Sequence, residues 1–295
     1  MNLHHLELFY FVAKYEGIVK ACREIPYGVQ QPAVSSQLIQ LEEELGLRLF
    51  ERKPFSLTTP GEYLYGFVAP FFNGLADVEA EIKGSMSQEI RLAGSSELLR
   101  DYAPNIIRKL RKKFPGMKLK LTAASQSQAE QLILSGEADL AVTVLETTLP
   151  PGVKHKKLIE LPLILLLPRE NYKGIKSVRE LMKGSDEALP SLIALRDREL
   201  LTRLFQGHLK KLKLKQWLVD IEVNSLDLVA AYVAQGMGVG ISADIPSNIV
   251  SPQIKTLPLQ GFPKLPVGAF WRGKLRPATQ AFYEELVKVV AKIEG

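Results

Sequence analysis

Residues Gly28 to Arg52, GVQQPAVSSQLIQLEEELGLRLFER, restrict what this chain can fold into more than any other stretch. Val34, Leu38, Leu41 and Leu45 recur at intervals of four, three and four, the period of one buried helix stripe. Pro32 suits the first turn, where its missing N–H would be unpaired in any case, and Gly46 suits the C-terminal stop. The opposite face carries Gln31, Ser35, Ser36, Gln37 and Gln40. A solvated helix face normally shows Lys and Glu; short hydroxyls and amides suit hydrogen bonding to base edges.

The flanking segments turn this helix into a unit. Leu3, Leu6, Phe9, Tyr10 and Ala13 predict a first helix over Leu3 to Tyr15, stopped by Gly17, and Ile18 to Ile25 predicts a second, halted by Pro26. Three short helices with a polar face on the third make a helix-turn-helix. Leu47 to Phe50 and Phe55 to Leu57 read as a small hairpin, a wing with Arg52 and Lys53 at its tip, placed for a phosphate backbone.

Bulk charge does not make the same case. The whole chain is +6, but residues 1–86 hold seven Lys or Arg against eleven Asp or Glu, so residues 87–295 carry the excess. A few placed cations must do the phosphate work. Cys22 is the only cysteine, and the adjacent His4 and His5 point different ways on a helix, so no metal site or cofactor is expected. No window reaches about 18 apolar residues and the start lacks a cleavable apolar run, which predicts a cytoplasmic protein with no membrane partner.

A long helix should follow, with Thr59 as N-cap, Pro60 in the first position and Glu62 closing a capping box. Leu64, Val68, Phe71, Leu75, Val78 and Ile82 form a heptad seam, which predicts a homodimer through this helix. Pro70 sits mid-helix and presses on the carbonyl of Gly66, predicting a bend near 66–70 within one helix.

From Glu89 short apolar strands alternate with amphipathic helices, which predicts two α/β lobes built on parallel sheets. The expected fold is a mainly α winged helix-turn-helix domain (1–58), a linker and dimerisation helix (59–86) and a two-lobed α/β domain (87–295) of the periplasmic-binding-protein kind. Lobe I takes 87–162 and 266–295, and lobe II takes 163–265. Ligands of open α/β sheets bind beyond the carboxyl ends of the strands, near helix N-termini. Those ends carry Ser95-Ser96, Ser125-Gln126-Ser127, Thr143, Arg196-Asp197-Arg198, Asn224-Ser225 and Ser242, a set suited to a small polar or anionic molecule. Ser127 with Glu130 also reads as a capping box.

Enzymatic readings find no support. Gly236-Met237-Gly238-Val239-Gly240 leaves a helix and enters a strand, the reverse of a dinucleotide fingerprint, and reads as a helix stop and tight turn. No nucleophile elbow, phosphate loop or His-Glu zinc motif occurs. The two-lobed half alone would suit a solute-binding protein, but that reading calls for an export signal.

ACREI, QQPAVSSQLIQLEEELGLRLFER and LTTPGE together resemble the N-terminal domain of LysR-type transcriptional regulators, and RKLRKKFPGMKLKL, SGEADLAV and AYVAQGMGVGIS resemble that family's effector-binding domain. The resemblance implies a regulator that binds double-stranded promoter DNA, commonly as a tetramer of paired dimers, and senses a small metabolite. It places Gln31, Pro32, Ser35 and Ser36 on DNA, Arg52 on phosphate, and Ser95, Ser96, Ser125, Thr143 and Arg196 in the effector cleft. Two departures stand out. Six residues separate Ile25 from Pro32 where the family has four, and Gln30 stands where a serine would cap the helix, so the Tyr27 ring or backbone bonds are expected to hold the turn.

Overall fold

A computed structural model describes residues 2–52, 54–82, 89–146, 149–183, 189–246 and 251–294. Helices α1 (Leu3–Lys14), α2 (Ile18–Glu24) and α3 (Gln31–Leu45) pack around Leu8, Phe9, Val12, Val34, Leu38 and Leu41. Each such buried side chain contributes about 1.5–3 kcal/mol, so the apolar stripe of α3 fixes which face remains outside. Cys22 is partly buried against this core. Gly46 takes the left-handed conformation and ends α3, as its sequence position predicts.

Strands β1 (Phe50–Arg52) and β2 (Phe55–Leu57) pair antiparallel, with Arg52 opposite Phe55. The first strand starts three residues later than Leu47 because Glu42 Oε1 accepts from the amides of Leu49 and Phe50 at 2.7 and 3.2 Å and ties this segment to α3 instead.

Helix α4 runs unbroken from Thr59 to Ile82 with Pro70 inside it. Its cap is Thr58, not Thr59: the Thr58 hydroxyl accepts from the Gly61 amide at 3.1 Å and donates to the Arg48 carbonyl at 2.7 Å. Glu62 therefore falls one position beyond a capping box. The outward face is also rotated from the expected seam. Leu64 and Val68 turn inward onto the N-terminal core, and the exposed stripe is Tyr63, Phe67, Phe71, Leu75 and Val78, with Tyr63 83% and Phe67 76% exposed. Among the described residues no helix is long and apolar enough to cross a membrane.

The rest forms two five-stranded sheets. The first has the order β4-β3-β5-β12-β6, from β3 (Glu89–Gly94), β4 (Lys118–Ala123), β5 (Leu140–Val144), β6 (Val153–Leu161) and β12 (Leu265–Arg272). The second has the order β11-β7-β10-β8-β9, from β7 (Leu163–Pro168), β8 (Leu192–Leu195), β9 (Val219–Val223), β10 (Val239–Ala243) and β11 (Ile254–Pro258). Helices α5 (Ala103–Lys113), α6 (Gln126–Leu134) and α10 (Pro277–Glu294) serve the first sheet, and α7 (Val178–Lys183), α8 (Leu200–Lys211) and α9 (Leu226–Ala234) the second.

Both sheets are mixed rather than parallel. β12 runs antiparallel to β5 and β6, and β7 antiparallel to β10 and β11. The cause is that the chain leaves the first sheet at β6 and returns to it only with β12, so one strand of each sheet enters from the other lobe. The glycines of 236–240 behave as a stop and a close-packed strand. Gly236 is left-handed after α9, and a Cβ at Gly240 would lie 2.4 Å from Val229 Cγ1.

Candidate nucleic-acid interface and effector cleft

On α3, Gln31, Pro32, Ser36 and Gln40 are exposed, together with Ile39, an apolar residue that the polar-face reading passed over. Ser35 is half-buried, and Gln37 turns inward far enough that its Oε1 is buried, with no hydrogen-bond partner among the described residues. Gln30 is the N-cap and its side chain makes no cap bond; its carbonyl instead accepts from the amides of Ala33 and Val34 at 3.0 and 3.2 Å. The Tyr27 hydroxyl donates to Glu7 Oε2 at 2.7 Å and its ring lies 5.7 Å from that of His4, so the longer turn is pinned to α1. Gly28, left-handed at φ +63°, lets the chain reverse there. Arg52 ends β1 at the hairpin turn beside α3, and Lys53 lies outside the described residues.

Between the two sheets lies a cavity of about 580 Å³, within the range of roughly 300–1,000 Å³ usual for small-molecule sites. Ser95, Ser96, Ser125, Gln126 and Thr143 line it from one lobe, and Arg196, Arg198, Asn224 and Ser225 from the other. Ser242 does not join them. It is 2% exposed, and because side chains alternate along a strand it faces α9 with Gly240, while Ala243 lines the cavity. The helices that begin after Ser95, Ser125, Glu199 and Ser225 all open on this space, and such N-termini favour negative charge.

The lining polar groups divide into those held by the protein and those left for a ligand. The Ser95 hydroxyl accepts from the Leu98 amide and that of Ser225 from the Leu228 amide, both at 3.3 Å. The capping box of α6 is Ser125 with Gln128, whose Oε1 accepts from the Ser125 amide at 3.0 Å, so Ser127 stands inside the helix rather than capping it. Gln126 is engaged on both sides: its Nε2 donates to Glu130 at 2.9 Å and its Oε1 accepts from the Glu146 amide at 3.2 Å. Arg196 is the looser group, half-exposed and 3.6 Å from Glu222. Ion pairs cross the cleft mouth, Arg203 to Glu146 at 2.7 Å and Arg100 to Asp227.

One lining residue escaped the strand-end reading altogether. Glu97 is 6% exposed, and burial pushes its carboxyl above the usual range. Its signal in the sequence was only its place two residues after Ser95, in the first turn of a helix.

The N-terminal half and the α/β half touch. Asn73 of α4 is buried; its Oδ1 accepts from the Tyr10 hydroxyl at 2.6 Å and Lys14 Nζ at 3.1 Å, and its Nδ2 donates to the Ser135 carbonyl at the end of α6 at 2.6 Å. Burial raises the pKa of Tyr10 and lowers that of Lys14. The Tyr65 hydroxyl donates to Glu137 at 3.4 Å beside this contact.

A winged helix-turn-helix carried by a long helix onto a two-lobed α/β domain of ligand-binding shape defines a class of two-domain regulator. Residues 3–62 match the family described as bacterial regulatory helix-turn-helix protein, lysR family, and residues 83–291 match the LysR substrate binding domain. The chain belongs to the LysR family of transcriptional regulators. The RuBisCO operon transcriptional regulator of Allochromatium vinosum is 24% identical over 311 residues, spanning 99% of this chain and 98% of that protein. The regulator AlsR of Bacillus subtilis is 32% identical over 183 residues, 58% of this chain and 57% of that protein. Among solved structures, full-length OxyR from Pseudomonas aeruginosa has a TM-score of 0.69 at 20% identity, covering 98% of this chain and 94% of that one. Full-length CbnR in complex with its target DNA has a TM-score of 0.62 at 19% identity, covering 98% and 100%. At these identities the structures show the fold.

Proposed function

We propose that this chain binds a pseudo-palindromic promoter site as a homodimer, paired further into a tetramer, and that a small anionic metabolite in the interlobe cavity sets its activity. The observation that carries the reading is the uncharged outward face of the first turns of α3, Gln31, Pro32, Ser36 and Gln40, with the strand ending in Arg52 tied beside the helix through Glu42. Gln37 and Ser35 flank that face, and Arg52 and Lys53 supply phosphate contacts. The exposed stripe on α4 is the dimer seam. Helix N-termini with Arg196 and Arg198 favour a carboxylate or similar anion, held by the hydroxyls of Ser95, Ser96, Ser125 and Thr143. DNA binding places the protein in the cytoplasm, and no catalytic role is assigned to the cleft.

Equilibrium binding to promoter and random DNA, with and without small carboxylates, tests both halves. Ser36→Ala should lower promoter preference by about 1–3 kcal/mol, the size of a good base contact. Arg52→Ala should weaken all DNA alike and flatten the salt slope by about 0.9. Unchanged promoter preference in the first variant, or a sequence-selective loss in the second, would overturn the assignment.

A further inference from the structure

Beside the large cavity lies a second one of about 90 Å³, on the first-sheet side of the cleft. Leu98, Tyr102, Leu158, Leu286, Val290 and Ile293 bound it, from the π-helical turn Leu98–Tyr102, β6 and α10. The two cavities share a wall made by Ser95, Glu97, Leu161, Ile245 and Val267. Among the described residues, Glu97 brings the one carboxylate and Ser95 the one aliphatic hydroxyl to the small chamber; apart from the Tyr102 ring, the remaining lining is aliphatic.

Glu97 is therefore an acid at the boundary between a polar cleft and an apolar pocket. Burial acts most strongly on its carboxyl; its own amide, the Ser95 hydroxyl and Arg100 favour the charged form, Asp227 opposes it, and among the described residues no cation forms an ion pair with it. The nearby Arg100 is committed to Asp101 and Asp227. A charge taken out of water without a counter-charge is costly, and a ligand cation placed against it recovers much of that cost.

Anion-favouring groups on the far wall, a buried acid at the boundary and an apolar recess behind it call for three features in one ligand. Resting on the reading that the cleft takes a small anion, we propose that the effector is a free α-amino acid with a compact aliphatic side chain. Its carboxylate faces the helix N-termini and Arg196, its ammonium group meets Glu97, and its side chain enters the small chamber. The chamber of about 90 Å³ is well above the roughly 10–15 Å³ that a single water needs, which leaves room for a small branched aliphatic group. Benzene occupies an engineered cavity of about 150 Å³, larger than this chamber, so a phenyl side chain should fit it less well than a compact aliphatic one.

Isothermal titration of the full-length protein tests this with valine, leucine, isoleucine and methionine, against 3-methylbutanoate and 4-methylpentanoate as deaminated partners and phenylalanine as an oversized one. One or more of the aliphatic amino acids should bind at least about tenfold more tightly than its deaminated partner, the range of one hydrogen bond to a charged group, and more tightly than phenylalanine. Glu97→Gln, which keeps the shape, should bring the amino acid and its deaminated acid to within about twofold. Val290→Phe, which fills the chamber, should weaken leucine at least about tenfold; if Glu97→Gln fails to fold, the wild-type comparison and this second variant still decide. Deaminated acids binding as tightly as amino acids, with no change in Glu97→Gln, would overturn the amino-acid assignment and leave the anion reading standing. Absence of binding by every carboxylate would remove both.

Discussion

Glu42 and Gln37 sit about one and a half helical turns apart on α3, and the fold gives each a role that its place in the sequence does not show. Glu42 is the first of three consecutive glutamates and nothing in the sequence singles it out, whereas in the fold its carboxylate gathers two amides of the chain entering the wing. A lone sequence cannot show this, because the partner amides are seven and eight residues away and across a turn. Gln37 reads as a base-contacting residue and is partly drawn inward. Ser242 fails for a simpler reason: strand-end position was legible, but not the one-residue phase that decides which face it occupies. Gly240 shows how firmly that phase is held. Gly240→Ala sets a methyl 2.4 Å from Val229 Cγ1 and 2.8 Å from Val233 Cγ2. Overpacking of this kind costs about 1–3 kcal/mol, and urea unfolding should show a lower midpoint with an unchanged slope.

Among elements, α1, α2, α3 and the single unbroken α4 were legible because apolar period and glycine stops agree. Strands β6 and β11 were not. β6 carries Lys154, His155, Lys156 and Lys157 in succession and lies at a sheet edge, so its burial alternation is too weak to read. On α4 the heptad reading found the helix and misjudged the angle, since Leu64 and Val68 are claimed by the N-terminal core. Among the described residues, Phe67 on the stripe from Tyr63 to Val78 is 76% exposed and belongs to no core cluster. A charge placed there strikes the proposed seam without touching the domain core, so Phe67→Glu should shift the protein to monomers in sedimentation at micromolar concentration while its far-ultraviolet spectrum is kept. Dimers persisting at wild-type strength would move the seam elsewhere.

At the scale of the whole molecule, the part least legible in the sequence is the joint between its halves. Asn73 gathers Tyr10, Lys14 and Ser135 from segments more than 58 residues away, and nothing local marks it. Gly136 completes the contact: it is left-handed, and a Cβ there would lie 3.5 Å from that of Asn73 and 3.6 Å from the Pro70 Cα. Asn73→Ala removes the shared node, and residues at such joints alter coupling by about 0.5–2 kcal/mol. The expected result is a protein that binds its cavity ligand as before but whose promoter affinity responds to it several-fold less. An undiminished response would show that the signal travels by another route.

Helix α6 has one end in the cavity, at Ser125 and Gln126, and the other against Asn73. It is nine residues long, about 13 Å at 1.5 Å per residue, too short and too well packed to absorb a shift along its own axis. On the proposed route, what would reach the N-terminal half is a position, which carries no trace of the molecule that set it. If Asn73→Ala uncouples the halves as expected, exchanging cavity residues should change the ligand recognised while keeping the same promoter output, which would make this chain a starting point for sensors with altered inputs.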